Sequence, residues 1–217
     1  MNIAVLGTGV VGDTIASKLI ELGHSVKMGS RTANNEKAAA WVAKAGGKSS
    51  QGTFADAAQS ANVIFNCGKG EFTLEVLKQA GIENLKGKIL IDLANSFDYS
   101  KGMPPQVNTY NGTSLGEEVQ KLLPDTKVVK TLNTLNCKVM VNPGLVNGGD
   151  HNLFMSGNDA AAKEEVKNLL ASFGWIKENI IDLGDISTAR GTEQFLPLWM
   201  RLYGKFASPM FQIKIVK

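Results

Sequence analysis

The stretch Asn2 to Gly12, NIAVLGTGVVG, constrains this chain more than any other. Ile3, Ala4, Val5 and Leu6 form a short apolar run, and glycine bounds it, which predicts a fully buried strand. Gly7, Gly9 and Gly12 follow at G-x-G-x-x-G spacing. From Asp13 to Leu22, the apolar residues Ile15, Ala16, Leu19, Ile20 and Leu22 recur at helical intervals. The glycines therefore sit between a strand and an amphipathic helix, the setting in which such a motif binds a dinucleotide. Gly7 permits the tight turn, Gly9 admits a pyrophosphate to the backbone, and Gly12 lets the helix pack closely on the strand. The N–H groups that open the helix face the anion.

The next strand is expected at His24 to Met28, and it runs into Gly29, Ser30, Arg31 and Thr32. An acidic residue at this strand end would bind the ribose hydroxyls of NAD. None is present. Ser30, Arg31 and Thr32 offer a guanidinium between two hydroxyls, which suits a 2′-phosphate, because arginine makes charge-assisted bonds to phosphate oxygens. The alternative is a solvated loop arginine. With the glycine motif ahead of it, the segment favours NADP over NAD, and Lys37, one turn into the following helix, adds charge nearby.

Beyond this point strands and helices alternate. Helices are expected at Asn35 to Ala45, Thr53 to Ala61, Glu71 to Ala80, Ser114 to Leu123 and Ala160 to Phe173. Strands are expected at Asn62 to Cys67, Lys88 to Leu93, Lys127 to Leu132, Asn152 to Ser156 and Ile180 to Leu183. Asp98 to Asn111 is irregular and either borders a substrate pocket or is a plain connection. The alternation implies an α/β fold, a doubly wound and mostly parallel Rossmann sheet whose order begins 3-2-1-4-5-6. One domain is expected over 1–217, with 1–183 as the sheet-bearing body and 184–217 as a tail. In that tail Phe195, Leu196, Leu198, Trp199, Met200, Leu202, Tyr203, Phe206, Met210 and Phe211 crowd together. They predict a helix on the sheet or on a second subunit, or a hydrophobic roof over the nicotinamide. So much apolar surface in a short tail favours a homodimer. A final short strand is expected from Phe211 to Val216.

Composition removes several classes. A net charge of +3 with no block of like charge gives no argument for nucleic acid. Cys67 and Cys137 are too far apart for a metal-ligand spacing, and His24 and His151 are the only histidines. A zinc site and a Ser-His-Asp triad are not expected. No apolar run reaches the roughly 18 residues of a membrane span. The chain enters a core strand at once, so a soluble, cytoplasmic protein is expected.

With these residues in place the chain resembles the small NADP-dependent oxidoreductases that exchange hydride with a deazaflavin, coenzyme F-420. The reductase domain of the STEAP metalloreductases is related to the same family. The resemblance rests on IAVLGTGVVG, MGSRT, KILIDLANS, KVVKTLNT and IIDLGDISTAR, in consistent order from Met1 to about Arg190. It implies a Rossmann-type fold and hydride transfer at the nicotinamide of NADPH to a small-molecule redox acceptor. It also implies that Thr8, Gly9, Val10 and Val11 hold pyrophosphate and that Ser30 and Arg31 hold the 2′-phosphate. Cys67, Gly68 and Asn95 would then line the nicotinamide end, with Asn133 and Thr134 beside it. Asn95, Asn133 and Thr134 are the candidate catalytic residues. Deazaflavin-using members tend to carry histidine after the strand at Lys127 to Leu132. Here the segment is TLNTLNCKVM, so flavins, quinones and ferric complexes stay open beside the deazaflavin.

Other NADP enzymes fit less well. Short-chain dehydrogenases need Tyr-x-x-x-Lys, and Tyr99, Tyr110 and Tyr203 are followed at that spacing by Met103, Ser114 and Ala207. β-Hydroxyacid dehydrogenases add a long helical domain, for which 184–217 is too short. A non-enzymatic NADP(H)-binding redox sensor, acting through a protein partner, is the alternative to an enzyme. Fold alone does not choose between them.

Overall fold

A computed structural model of the chain describes residues 1–100, 102, 105–108 and 112–217. Its first half runs β1 (Asn2–Leu6), α1 (Val10–Glu21), β2 (Ser25–Ser30), α2 (Glu36–Ala45), β3 (Ser49–Thr53), α3 (Phe54–Ser60), β4 (Val63–Asn66), α4 (Thr73–Ala80), α5 (Ile82–Leu85) and β5 (Ile89–Asp92). The second half runs β6 (Phe97–Asp98), β7 (Gln106–Val107), α6 (Leu115–Leu122), β8 (Lys127–Thr131), α7 (Cys137–Val141), β9 (Leu153–Ser156), α8 (Ala160–Ser172), β10 (Ile180–Asp182), α9 (Ala189–Gln194) and α10 (Leu196–Phe206).

Eight strands form one sheet in the order β10-β9-β8-β5-β4-β1-β2-β3, and β6 pairs with β7 apart from it. Counted along the sheet, the first six strands take the expected 3-2-1-4-5-6 arrangement. Within the eight-stranded sheet every pair is parallel except β8 with β9. Because strand side chains alternate between faces, β1 feeds two cores. Ile3 and Val5 join Ile15, Leu19, Trp41 and Leu170 on one side. Ala4 and Leu6 join Phe54, Leu77, Leu90 and Leu115 on the other. Central strands buried on both faces are what a doubly wound sheet requires.

Three differences from the sequence reading have physical causes. Strand β3 was not anticipated, because SSQGT has no apolar residue to give a period; it is an edge strand held by its parallel ladder to β2. The reversal at β9 leaves no composition signal, since it follows from the short connection through α7 rather than a full crossover helix. The expected strand from Phe211 to Val216 does not form. The hydrogen bonds of its backbone to the rest of the fold go to Asn152: the Asn152 N–H donates to the Ile213 carbonyl at 2.8 Å, and the Ile215 N–H donates to the Asn152 side chain at 2.6 Å. Bonds to one residue do not make a ladder. Residues 101, 103, 104 and 109–111, within the loop expected to border a substrate pocket, lie outside the described residues.

In the tail, Leu196 is buried and Trp199, Met200, Phe211 and Met210 are half-buried, whereas Leu198, Tyr203 and Phe206 remain exposed. Trp199 stacks on Tyr203 with ring centroids 5.7 Å apart and meets Phe211 at 5.2 Å. Among the described residues no helix is long and apolar enough to cross a membrane.

Candidate active site

The carboxyl ends of β1, β2, β4, β5 and β8 open along one edge of the sheet, where ligands of such folds bind. At β1 the chain turns at Gly7, whose φ of 128° falls in the region that favours glycine. The Gly7 N–H donates to the Gly29 carbonyl at 3.1 Å, tying the turn to β2. A methyl group on Gly12 would lie 2.1 Å from the Gly7 carbonyl oxygen, so only glycine lets α1 seat this close. Gly9 faces open space. It is also the N-cap of α1 and has no side chain to satisfy the first-turn N–H groups. Val10, at that turn, is 75% exposed. An uncapped, solvent-facing helix start behind a glycine turn fits a pyrophosphate.

Two cavities flank this turn. The first, of about 590 Å³, is lined by Gly7, Thr8, Gly9, Ser30, Arg31, Asn35 and Lys37 on one side and by Phe54, Phe72, Glu75, Val76 and Gln79 on the other. The second, of about 380 Å³, is lined by Val10, Val11, Ala94, Asn95, Phe97, Tyr99, Asn133, Thr134, Cys137 and Met140, with Leu196, Trp199 and Met200 from α10. Cys67, Gly68 and Lys69 line both. The two cavities are thus the ends of one cleft that bends around the start of α1.

The first cavity carries the cations. Arg31 and Lys37 are exposed there. Asn35 caps α2, its side-chain oxygen accepting from the N–H groups of Lys37 and Ala38 at 3.1 Å each, and so places Lys37 on the first turn at the cavity wall. Ser30 is buried and donates its hydroxyl proton to the Thr32 carbonyl at 2.6 Å. That bond shapes the loop and leaves the Ser30 oxygen as an acceptor. Thr32 is exposed and is not part of either cavity wall. Gly12 lies behind the turn, in a packing position.

The second cavity has an amide floor. The side chain of Asn95 donates to the Asn133 carbonyl at 2.7 Å, and that of Asn133 donates to the Asn95 side-chain oxygen at 3.1 Å. Leu132, just ahead of Asn133, has φ 62° and is fully buried. A left-handed leucine costs about 1–2 kcal/mol, and here it turns the chain from β8 into the floor. Cys67 is buried, and burial, with Asp92 close by, pushes its thiol well above the ordinary cysteine range. It is a neutral wall at physiological pH, not a nucleophile.

A buried ion cluster lies beneath the floor. Lys130 donates to Asp92 at 2.9 Å and to the Ala94 carbonyl at 2.5 Å, and it lies 3.0 Å from Glu193. Burial works to lower the Lys130 amine, but the two carboxylates outweigh it and hold it above its ordinary value. Asp92 also accepts from Asn66 at 2.7 Å and from the Ala94 N–H at 3.2 Å. Glu193 accepts from the Leu115 and Gly116 N–H groups at 2.7 and 2.9 Å, capping α6 from a distant part of the chain. The cluster ties β5, β8, α6 and α9 together under Ala94 and Asn95.

The structure thus gathers Gly7, Thr8, Gly9, Ser30, Arg31 and Lys37 at one end of the cleft and Val10, Val11, Asn95, Asn133 and Thr134 at the other, with Cys67 and Gly68 between them. Sequence reasoning missed Asn35, Lys69, Phe72, Phe97 and Glu193, whereas Tyr99, which lines the second cavity, lies in the Asp98 to Asn111 loop that was one candidate border of a substrate pocket. The glycines on either side of Lys69 were a readable signal, since they follow a strand end. Phe72 and Glu193 gave none, because their positions depend on tertiary packing.

Comparison with known proteins fits this geometry. The family model described as NADP oxidoreductase, coenzyme F420-dependent, matches residues 2–96. The crystal structure of a proposed F420-dependent NADP-reductase from Arthrobacter sp. FB24 is 48% identical, covers 100% of both chains and superposes with a TM-score of 0.94. Metalloreductase STEAP3 of Rattus norvegicus is 27% identical over 204 residues, which are 91% of this chain and 38% of that protein. The chain therefore spans well under half the length of that relative. The reductive aminase from Aspergillus terreus, solved with NADPH and ethyl levulinate, shares the fold at a TM-score of 0.66 and 20% identity, over 95% of this chain and 62% of its own. The chain belongs to the coenzyme F420-dependent NADP oxidoreductase family, and NADP(H) is its cofactor.

Proposed function

We propose that this protein transfers hydride between NADP(H) and a planar, ring-based redox acceptor of the flavin, deazaflavin or quinone type. The observation that carries the reading is the bent cleft, with cations at one end, an uncapped helix start at the bend and an amide floor under an apolar roof at the other end. Bound NADPH supplies the hydride. Arg31 and Lys37 hold the 2′-phosphate, and the α1 N-terminus holds the pyrophosphate. Asn95 and Asn133 present a rigid polar surface beside Thr134. Phe97, Tyr99, Leu196, Trp199 and Met200 make an apolar slot suited to stacking a planar ring.

Among the described residues that line the slot, none is a histidine, and the Cys67 thiol is buried and protonated. The exposed Glu71 also lines this cavity, so an acceptor that takes two electrons as hydride draws its proton from solvent or from that carboxyl. Positioning then supplies most of the catalysis, and the reactive chemistry belongs to the bound rings. The test is anaerobic NADPH oxidation with a deazaflavin, riboflavin, menadione and a ferric chelate in turn. The reading expects turnover with at least one ring acceptor, and little with the chelate unless flavin is added. Tight NADPH binding without oxidation by any acceptor would point instead to a redox sensor.

A further inference from the structure

We propose that Lys69 clamps the cofactor pyrophosphate from the face opposite α1. The inference rests on the reading that one dinucleotide spans both cavities. Among the described residues Lys69 is the sole charged one common to the two cavity linings, so it stands where the chain of the ligand must pass from one to the other. The backbone around it is in contact with the glycine turn: a methyl group on Gly7 would lie 3.0 Å from the Cys67 carbonyl oxygen and 3.2 Å from the Gly68 nitrogen. The β4 loop therefore runs directly across from the turn that receives the anion.

That loop cannot retreat. A methyl group on Gly70 would lie 2.3 to 2.4 Å from backbone atoms of Asn95 and Ser96, and the Gly70 N–H donates to the Asn95 carbonyl at 3.1 Å. The Lys69 carbonyl in turn accepts from the Phe72 N–H at 3.0 Å. The main chain of Lys69 is pinned on both sides, while its side chain is exposed and forms no ion pair among the described residues. A fixed base carrying a free ammonium suits a ligand that brings its own charge. The helix start supplies only partial charge to a group bearing two negative charges, and lysine adds a full one.

The test compares Lys69→Met and Lys69→Arg with wild type by calorimetric titration of NADPH, NADH and adenosine 2′-monophosphate, without any acceptor. The expected result is that Lys69→Met weakens NADPH and NADH alike by about tenfold, or about 1.4 kcal/mol, and flattens the salt dependence of both. Adenosine 2′-monophosphate, which lacks the pyrophosphate, should be unaffected, and Lys69→Arg should retain most of the affinity. Loss confined to NADPH and adenosine 2′-monophosphate would overturn the proposal and assign Lys69 to the 2′-phosphate. Unchanged binding of all three would overturn it as well. Because no acceptor is present, failure to turn over would not affect the outcome.

Discussion

Asn95 and Asn133 hold each other across the ends of β5 and β8, each side-chain amide donating to an oxygen of the other residue, at 2.7 and 3.1 Å. The pair fixes two loops that would otherwise move independently, and it does so at the floor of the apolar slot. The left-handed Leu132 delivers Asn133 to this position, and strain of this kind persists only where the surroundings over-determine it.

Replacing Asn95 by Leu removes both bonds of the pair that involve its side chain and fills polar space with an isobutyl group. Turnover should fall by at least about tenfold, since the loss of one or two hydrogen bonds of about 0.5–1.5 kcal/mol each is compounded by misplacement of the ring. The first cavity is untouched, so NADPH affinity should change much less than kcat. Steady-state kinetics with any active acceptor, alongside cofactor titration, separates the two. Equal effects on both would remove Asn95 from the nicotinamide end.

The Lys130 cluster, buried beneath the floor of the slot, predicts a large stability effect. Lys130→Met leaves Asp92 and Glu193 buried with no cation between them, and breaking a buried pair from one side costs about 3–5 kcal/mol. Urea unfolding should show the loss as an earlier midpoint with unchanged slope. A change below about 1 kcal/mol would mean that backbone N–H groups alone satisfy the two carboxylates.

A second ion pair gives a pH dependence. Arg190, reinforced by Ser114, holds the Glu117 carboxyl below its ordinary value of 4.5. Its Nε donates to Glu117 at 2.7 Å, joining α9 to α6. With the folded value below the unfolded one, the unfolded chain takes up the proton first as pH falls. The pair therefore stabilises the fold fully above the unfolded value and loses that contribution as pH drops through the folded one. Melting temperatures of wild type and Glu117→Gln should differ at neutral pH and converge on acidification below 4.5. A gap that stays constant to low pH would show that Glu117 acts through packing instead.

The fold was largely legible because its signals are local. The apolar runs at Ile3–Leu6 and Lys88–Leu93 and the glycines at 7, 9 and 12 announce strands and a phosphate turn without reference to the rest of the chain. Ser30 and Arg31, which line the first cavity, stand out as candidates for the same reason, since their distance from the glycines is set by one βαβ unit. What stayed hidden depends on long-range geometry. Glu193 caps a helix more than seventy positions away in sequence; β3 is held only by its neighbour; and the Asn95 pair needs β5 and β8 to be adjacent. The roof was visible as an aromatic crowd, but only its packing separates Leu196, Trp199 and Met200, which line the slot, from Leu198 and Phe206, which face outward.

The orientation of the cofactor in the cleft turns on Arg31. A charge-assisted bond to phosphate is worth roughly 1.5–3 kcal/mol, and about 1.4 kcal/mol is one decade of affinity. Dissociation constants for NADPH and NADH, measured by calorimetry on wild type and Arg31→Ala, should show wild type preferring NADPH. The substitution should weaken NADPH by about 10- to 100-fold and leave NADH nearly unchanged. Equal weakening of both cofactors, or a wild-type preference for NADH, would contradict the placement of the 2′-phosphate at Arg31 and with it the direction in which the dinucleotide lies.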